Sequence, residues 1–352
     1  MPMWNAVDEL LLNAIRHDTF PGCAMAAGQG SRVLYTSVNG SLTKDGGQAV
    51  HHTTRYDIGA LTRVLTTVPL ALTALELGMI SLDDPITRYL EGVPSDKRDL
   101  TPLMLLTHTS GMPAYFPLGQ DAENARDALR ALLKHPLACT PGSKVRDSAM
   151  GFILLGFMLE RIFAMPLDDA MKRYVSVPLG MNRTGFLPSG EDVAPTETAG
   201  ETDEPQAGCP SDGNALFLHG VAGHAGLFTN LEDIIRFASM LACDGRADED
   251  IAFSYRAIHL ATTERTRGMN DSRGYGFHIT KRSDPFLGHL WPSDGYGLQD
   301  PASGSLIAVS PEDGFFVVFL TNAAITSPDR HEMERFQKLL LNAAYAAFQR
   351  DD

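Results

Sequence analysis

Residues 56–67 read YDIGALTRVLTT, and the organisation of the rest of the chain can be worked out from this stretch. An apolar run enters a segment whose helical periodicity continues to residue 78. The stretch has the shape of a serine-nucleophile motif, but Ala60 stands at the position of the nucleophile and Arg63 at that of the base. Pro69 lies inside the helical segment, where we expect it to bend the helix or to leave one carbonyl without its usual donor.

The composition is that of an ordinary globular protein. The chain has 352 residues, of which 44% are hydrophobic and 20% charged, so it can bury a large core in one large domain or two. There are 29 Lys and Arg residues against 43 Asp and Glu residues, which gives a formal net charge of -14. Because no basic stretch could neutralise a phosphate backbone, we expect no nucleic-acid partner.

The sequence also lacks signals for a membrane or for export. No run approaches about 18 consecutive apolar residues. The first residues, MPMWNAVDELLLNAIRHD, carry acidic and amide groups where a signal peptide has a basic region and then an apolar one. We therefore expect a soluble, cytoplasmic protein with no membrane partner. The cysteines at positions 23, 139, 209 and 243 show no CxxC spacing, so reduced thiols are expected, with no metal and no cofactor.

Both ends of the chain carry patterns that are typical of a sheet with flanking helices. Apolar residues at helical spacing predict an amphipathic helix over residues 4–15. Two strand-like runs, 23–29 and 32–38, predict a hairpin. Strand patterns return at residues 305–322, and residues 331–348 close the chain as a predicted helix.

The middle of the chain, from about residue 80 to 225, is rich in helical runs and in Pro and Gly. The simplest architecture that fits these patterns is of the α/β (α+β) class. It has an antiparallel sheet flanked by helices, and a helical lobe is inserted between the two parts of the sheet. The predicted α/β lobe comprises residues 1–80 and 225–352, and the predicted helical lobe residues 81–224. Residues 190–208 are polar and acidic, which predicts a surface loop.

Several segments, taken in order, resemble the serine β-lactamase and penicillin-binding protein superfamily, closest to its class C and esterase-like branch. The segments that carry the resemblance are YDIGALTRVLTT (56–67), LDDPITRYL (82–90), LLTHTSGMP (105–113), PGSKVRDSAMGFILLG (141–156), PLGMNRTGF (178–186), GVAGHAGLF (220–228) and VVFLTN (317–322). The resemblance implies an α/β lobe and an all-helical lobe with the reaction cleft between them.

Two catalytic motifs of that superfamily are altered in this chain. Active members use Ser-x-x-Lys, in which the serine attacks a carbonyl and the lysine helps to remove its proton. Here the resemblance places Ala60 and Arg63 at those positions, and a guanidinium stays protonated at any relevant pH. A second element, Tyr-x-Asn, corresponds to Asp147, Ser148 and Ala149, so both of its functional side chains are replaced.

The third catalytic motif is altered as well. The superfamily has a Lys or His followed by Thr-Gly on an inner strand, and the register gives Leu298, Gln299 and Asp300, followed by Pro301. In active relatives the residue after Thr-Gly donates a backbone N–H to the oxyanion hole, and proline has none. His289 is a competing match for this motif, but the residues after it do not reproduce Thr-Gly either.

These departures leave three functions open. The first is a non-catalytic relative, a pseudoenzyme that binds a small molecule or a protein partner in the cleft. The second is an enzyme of another class, such as a cyclase, isomerase or lyase, that uses Arg63, Asp147 and Asp300 without a covalent intermediate. The third is a residual hydrolase or esterase. Arg63 could pair with Asp147 or could bind a ligand carboxylate or phosphate, and Gln299 could bind a polar ligand or cap its own backbone.

Some other residues have the chemistry of a site but are expected to have structural roles. Ser110 lacks the surroundings of a nucleophile elbow. His108 and His224 belong to scaffold motifs, and we expect each to be satisfied by backbone partners. Just before GVAGHAGLF, relatives often have a His-Asp pair where this chain has Ser211 and Asp212, a further departure.

Overall fold

The computed structural model describes residues 4–196, 206–247 and 250–350. Its helices are α1 (Asn5–Arg16), α2 (Val68–Glu76), α3 (Pro102–Leu106), α4 (Ala128–Lys134), α5 (Ala149–Phe163), α6 (Leu167–Met171), α7 (Gly213–Phe217), α8 (Leu231–Ala242), α9 (Tyr255–Thr262) and α10 (Arg330–Phe348). Its strands are β1 (Gly22–Gln29), β2 (Arg32–Gly40), β3 (Tyr56–Asp57), β4 (Gly185–Phe186), β5 (Pro195–Thr196), β6 (Gln206–Ala207), β7 (Leu227–Thr229), β8 (Arg246–Ala247), β9 (Asp250–Ile251), β10 (His278–Ile279), β11 (Tyr296–Gln299), β12 (Leu306–Ser310) and β13 (Phe315–Thr321).

A six-stranded antiparallel sheet in the order β10-β11-β12-β13-β1-β2 joins the two ends of the chain. The predicted hairpin forms as β1 and β2, and β1 also pairs with β13, so that Cys23 lies opposite Thr321. The strands predicted at residues 305–322 and the helices predicted at both ends are confirmed as β12, β13, α1 and α10. The mixed helix and antiparallel-sheet fold class is therefore confirmed.

The central strand β13 is buried on both faces, which explains its continuous apolar sequence FFVVFLT. Side chains alternate along a strand, so Phe315, Val317 and Phe319 pack with α1 and α10 in one core. Phe316 and Val318 face the other core, which also holds the buried side chains of α2, α5 and α8. The sheet thus separates two hydrophobic cores, and the second core extends into the helical middle of the chain.

The helix that begins with the quoted stretch changes type along its length. Gly59–Leu61 is a 3₁₀ turn, Arg63–Thr67 is a π-helix, and α2 follows at Val68. Pro69 lies in the first turn of α2, where a missing N–H is tolerated. The sequence predicted a bend or an unpaired carbonyl at Pro69, whereas the structure places a π-helix directly before it.

The middle of the chain is mainly helical where the structure describes it, and α5 is its most buried helix. Ser148 caps the N-terminus of α5, because its hydroxyl accepts the N–H of Gly151 at 2.9 Å. The division of the chain at residues 80 and 224 stays a prediction. Residues 197–205 of the predicted surface loop lie outside the described residues, and β5 and β6 pair on either side of them.

Two further sequence expectations concern thiols and membranes. All four cysteines are free thiols, as predicted. Over the described ranges, no single helix has both the length and the apolar composition to cross a membrane. Residues 149–163 and 167–176 meet the criterion only as a pair, across a bend of 75°.

Candidate functional site

The structure brings all eight residues predicted for the site to the wall of one cavity of about 1030 Å³. They are Ala60, Arg63, Asp147, Ala149, Leu298, Gln299, Asp300 and Pro301. We call this cavity the cleft; its wall also includes Tyr115, Ser211, Asp212, His224, Arg273, His278 and Phe286. Three elements supply the predicted residues: the start of the helix after β3, the start of α5, and the end of β11. The exposed His289 does not line the cleft, which favours the register at residues 298–301.

Arg63, Asp147 and Arg273 form an ion cluster, called the arginine cluster below. Nη1 of Arg63 donates to Oδ1 of Asp147 at 2.7 Å, and Nη1 of Arg273 lies 3.1 Å from Oδ2 of the same carboxylate. Burial would raise the pKa of Asp147, but the neighbouring groups Arg63, His108 and Arg273 together outweigh burial and hold that pKa well below its usual value. The ion pair that the sequence left open between Arg63 and Asp147 therefore forms, and Asp147 is an ionised carboxylate.

Arg273 is the member of the arginine cluster that sequence reasoning missed. It lies in the segment between α9 and β10, and no motif marks it. Its Nε donates to Oδ2 of Asp271 at 2.8 Å, so each of its two carboxylate partners holds a different part of the guanidinium. The cluster and Asp271 together contain two cations and two anions, and their charges balance.

His108 supports the arginine cluster from behind without titrating near neutral pH. Its Nδ1 accepts the backbone N–H of Ser148 at 3.0 Å, which places the ring proton on Nε2, 3.8 Å from Oδ2 of Asp147. Burial lowers the pKa of His108 to about 3, so the ring is neutral. The prediction of a histidine with a backbone partner is confirmed here.

Ser110 is also structural, since its hydroxyl accepts the N–H of Met112 at 3.4 Å.

The carboxylate of Asp300 covers the backbone at Gly59 and Ala60, an arrangement called the Asp300 cap below. Oδ2 of Asp300 accepts the N–H of Ala60 at 3.4 Å and that of Ser303 at 3.2 Å. Gly59 has a φ of +51°, and a Cβ built there would lie 1.9 Å from Oδ2 of Asp300. Only glycine leaves room for this carboxylate.

The other two residues of the third motif have no polar contact with the cap. Leu298 is buried and pairs with Ile307 in the sheet. The side-chain nitrogen of Gln299 is buried and has no hydrogen-bond partner in the described part of the chain. The expectation that the Gln299 amide caps its own backbone is therefore wrong.

A second polar group stands next to the Asp300 cap. Asp57 is buried and accepts the backbone N–H of Gly59 at 3.0 Å and both the N–H and the hydroxyl of Ser211 at 2.8 Å. Burial raises the pKa of Asp57 despite these three bonds. Asp57 itself does not line the cleft; it fixes the turn that carries Gly59 and the loop that carries Ser211.

Asp212 and His224 form a pair on the cleft wall. Nε2 of His224 lies 2.8 Å from Oδ1 of Asp212. Burial would raise the pKa of Asp212, but His224 and the backbone N–H groups of Ala215 and Asn214 together outweigh burial and lower that pKa to about 2. The prediction of backbone partners is therefore wrong for His224, whose partner is a carboxylate. Asp212 also caps α7 by accepting the N–H of Ala215 at 2.8 Å.

Aromatic rings complete the wall of the cleft. His278 stacks on Phe286 with ring centroids 4.4 Å apart, and burial lowers the pKa of His278 to about 3. Tyr115 is half exposed.

Among the described residues, no group of three or more His, Cys, Asp or Glu side chains is arranged to hold a metal ion.

Comparisons with known proteins agree with this architecture. A relative in Escherichia coli O157:H7, named "Putative D-alanyl-D-alanine carboxypeptidase", is 27% identical over 342 residues, which cover 86% of this chain and 78% of the relative. The protein of the same name in Escherichia coli (strain K12) is 26% identical, with the same coverage.

Solved structures give the same fold at lower identity. EstCE1, a hydrolase with promiscuous acyltransferase activity, superposes with a TM-score of 0.79 at 21% identity and covers 98% of both chains. The class C β-lactamase from Rhodobacter sphaeroides gives a TM-score of 0.75 at 19% identity, with 99% of both chains covered. The family described as "Beta-lactamase" matches residues 8–342, and we conclude that this chain belongs to the β-lactamase family.

Proposed function

We propose that this member of the β-lactamase family has lost the acyl-enzyme mechanism and binds a small molecule in the cleft. The observation that carries the proposal is the 2.7 Å ion pair between Arg63 and Asp147 beside Ala60. These residues occupy the positions that match the serine, lysine and tyrosine of active relatives. Removing the nucleophile of a serine hydrolase costs on the order of 10⁶ in rate.

The residues at the positions that match the lysine and tyrosine of active relatives offer no base for a nucleophile at position 60. The guanidinium of Arg63 does not release its proton, and the low pKa of Asp147 makes its carboxylate a weak base. His108 is buried behind Asp147, and its Nδ1 is engaged by the N–H of Ser148. A serine placed at position 60 would therefore lack the two side chains that match the lysine and tyrosine of active relatives.

Stabilisation of an oxyanion is compromised at both positions that could supply it. The backbone N–H of the nucleophile residue is a frequent oxyanion donor in serine hydrolases, and here the N–H of Ala60 points to the carboxylate of Asp300. Pro301, at the position that donates in active relatives, has no N–H. Losing one such donor costs about 10² to 10³ in rate.

Binding is supported by the volume that remains. A collapsed site would fill with side chains, whereas the cleft has about 1030 Å³ and walls that combine rings with carboxylates. Pockets for small ligands commonly occupy about 300 to 1,000 Å³. The cleft is therefore large enough for a small molecule.

The two other functions have weaker support. An enzyme of another class would need a group that exchanges protons near neutral pH, and Arg63 and Asp147 neutralise each other instead. A hydrolase that activates water on Asp147 meets the same obstacle, because its ionised carboxylate is held by two guanidinium groups.

The proposal is tested by intact-mass analysis after incubation with p-nitrophenyl acetate, with benzylpenicillin and with a peptide ending in D-Ala-D-Ala. We expect no covalent adduct and no release of D-alanine. The single variant Ala60→Ser should also stay unmodified, since it restores the nucleophile but not the lysine, the tyrosine or the oxyanion donors of active relatives. An adduct on any serine of the unmodified chain, or turnover of any of the three compounds, would contradict the proposal.

A further inference from the structure

The charged groups of the cleft differ in what they present to a ligand. The side chains of Arg63 and Arg273 are only 9% and 4% exposed, whereas that of Asp147 is 43% exposed. The two guanidinium groups therefore lie behind the carboxylate that pairs with them. A ligand that approaches the arginine cluster meets carboxylate oxygens first.

The Asp300 cap adds a carboxylate that no cation balances. Asp300 accepts backbone N–H groups through Oδ2, and in the described part of the chain neither of its oxygens pairs with a cationic side chain. The negative charge of Asp300 also affects the neighbouring Asp57. Burial raises the pKa of Asp57, and the charge of Asp300 raises it further. An unbalanced negative charge at a half-buried position attracts a cation.

The remaining charges of the cleft do not reverse this sign. Asp212, whose side chain is 27% exposed, is paired with His224 at 2.8 Å, so this pair adds no unpaired cation. Arg330 of α10 is paired with Glu334 at 2.9 Å. Lys338, also of α10, is the one cation of the described cleft wall that is neither buried nor paired, and an anionic ligand would have to rely on it. The net charge of -14 on the whole chain favours the approach of cations.

The uncharged part of the wall suits the apolar body of such a ligand. Tyr115 offers a half-exposed ring, and Phe286 offers a ring stacked on His278. The ring of His278 is neutral because burial lowers its pKa to about 3. Aromatic faces attract organic cations in addition to the carboxylates.

We propose that the ligand of the cleft carries a protonated amine, which pairs with the carboxylate of Asp300, attached to an aromatic or other apolar body. The inference rests on the proposed function, because it assumes that the cleft binds a small molecule without acyl-enzyme chemistry. It assigns Asp300 as the residue that determines specificity for the charge of the ligand.

Three probes of similar size and different charge test the inference: phenethylamine, 2-phenylethanol and phenylacetate. Their dissociation constants are measured by ligand-observed NMR at low salt, for the full chain and for two variants. Asp300→Asn keeps an oxygen to accept the N–H of Ala60 and removes the charge. Asp45→Asn removes the same charge at an exposed residue that does not line the cleft, and is the matched control.

We expect phenethylamine to bind about tenfold more tightly than 2-phenylethanol, and phenylacetate to bind most weakly. Asp300→Asn should remove the preference for the amine, and Asp45→Asn should keep it. Equal binding of the three probes, no binding of any of them, or an unchanged preference in Asp300→Asn would overturn the inference. The loss of acyl-enzyme chemistry is judged separately, from the mass spectra, so the two failures are distinguishable.

Discussion

Two neighbouring parts of the cleft differ in how their carboxylates are paired. In the arginine cluster, the carboxylate of Asp147 lies between the guanidinium groups of Arg63 and Arg273 at 2.7 and 3.1 Å. In the Asp300 cap, the carboxylate of Asp300 meets only backbone N–H groups, at 3.2 and 3.4 Å. The sequence resemblance predicts that both carboxylates stand at positions of catalytic motifs.

The difference separates what the fold needs from what a ligand can use. Buried guanidinium groups require a counter-ion, so Asp147 is needed for stability. Among the described residues, no buried cationic side chain pairs with Asp300, so its charge remains available to a ligand in the cleft. Three predictions test this comparison.

The largest effect is expected for Asp147→Asn. This variant leaves the buried guanidinium of Arg63 without its counter-ion, which should lower the free energy of unfolding by on the order of 3 kcal/mol. Asp300→Asn, which removes one charge and leaves the fold's ion pairs intact, should change it by less than about 0.5 kcal/mol. Urea unfolding monitored by circular dichroism measures both. Equal losses in the two variants would show that the two parts of the cleft do not differ in this way.

A smaller loss, about 2 kcal/mol, is expected for Gly59→Ala, because it combines a positive φ with a clash against Asp300. Gly46→Ala is the matched control: Gly46 has a φ of +74°, and a Cβ there would meet no atom within 4 Å. Thermal unfolding of both variants separates backbone strain from the clash. In the Asp300→Ala background, Gly59→Ala should cost only as much as Gly46→Ala. A cost that stays the same there would mean that Asp300 moves aside freely.

The smallest effect, when expressed per pH unit, is a dependence of stability on pH that arises from His108, behind the arginine cluster. The pKa of His108 is about 3 in the folded chain and about 6.5 when unfolded. Between these values the unfolded state binds the extra proton, so stability falls as the pH falls, by at most about 1.4 kcal/mol per pH unit for one group. The sign follows from a folded pKa below the unfolded one.

His108→Asn should reduce this slope when urea midpoints are compared from pH 6.5 down to pH 4. Asparagine tolerates the φ of +58° at this position. His17→Gln, at an exposed histidine, is the control and should keep the slope of the unmodified chain. An unchanged slope in His108→Asn would mean that another group carries the dependence; His278, which has a pKa of about 3 in the folded chain, would be the next residue to test.

The fold could be predicted from the sequence wherever the local spacing of apolar residues determines the secondary structure. Alternation and apolar runs locate β1, β2, β12 and β13, and the helical pattern locates α1 and α10. The π-helix at Arg63–Thr67 was not predicted, because a change from i→i+4 to i→i+5 bonding leaves little trace in the spacing of apolar residues.

The residues of the site could be predicted from the sequence only where motifs of the superfamily align with this chain. The register that selected residues 298–301 places all four on the cleft wall. Arg273 was missed because it reaches Asp147 through tertiary structure from a segment without a motif. The carboxylate partner of His224 and the unpaired amide nitrogen of Gln299 could not be predicted from the sequence, since both depend on how loops meet.

The close contact between Asp300 and Gly59 also determines the order in which mutations could change this site. While Asp300 is present, position 59 cannot acquire a side chain without a clash. A serine that arises at position 60 would find its backbone N–H already engaged by the same carboxylate. For a serine at position 60 to have a free backbone N–H, the residue after β11 would therefore have to change first.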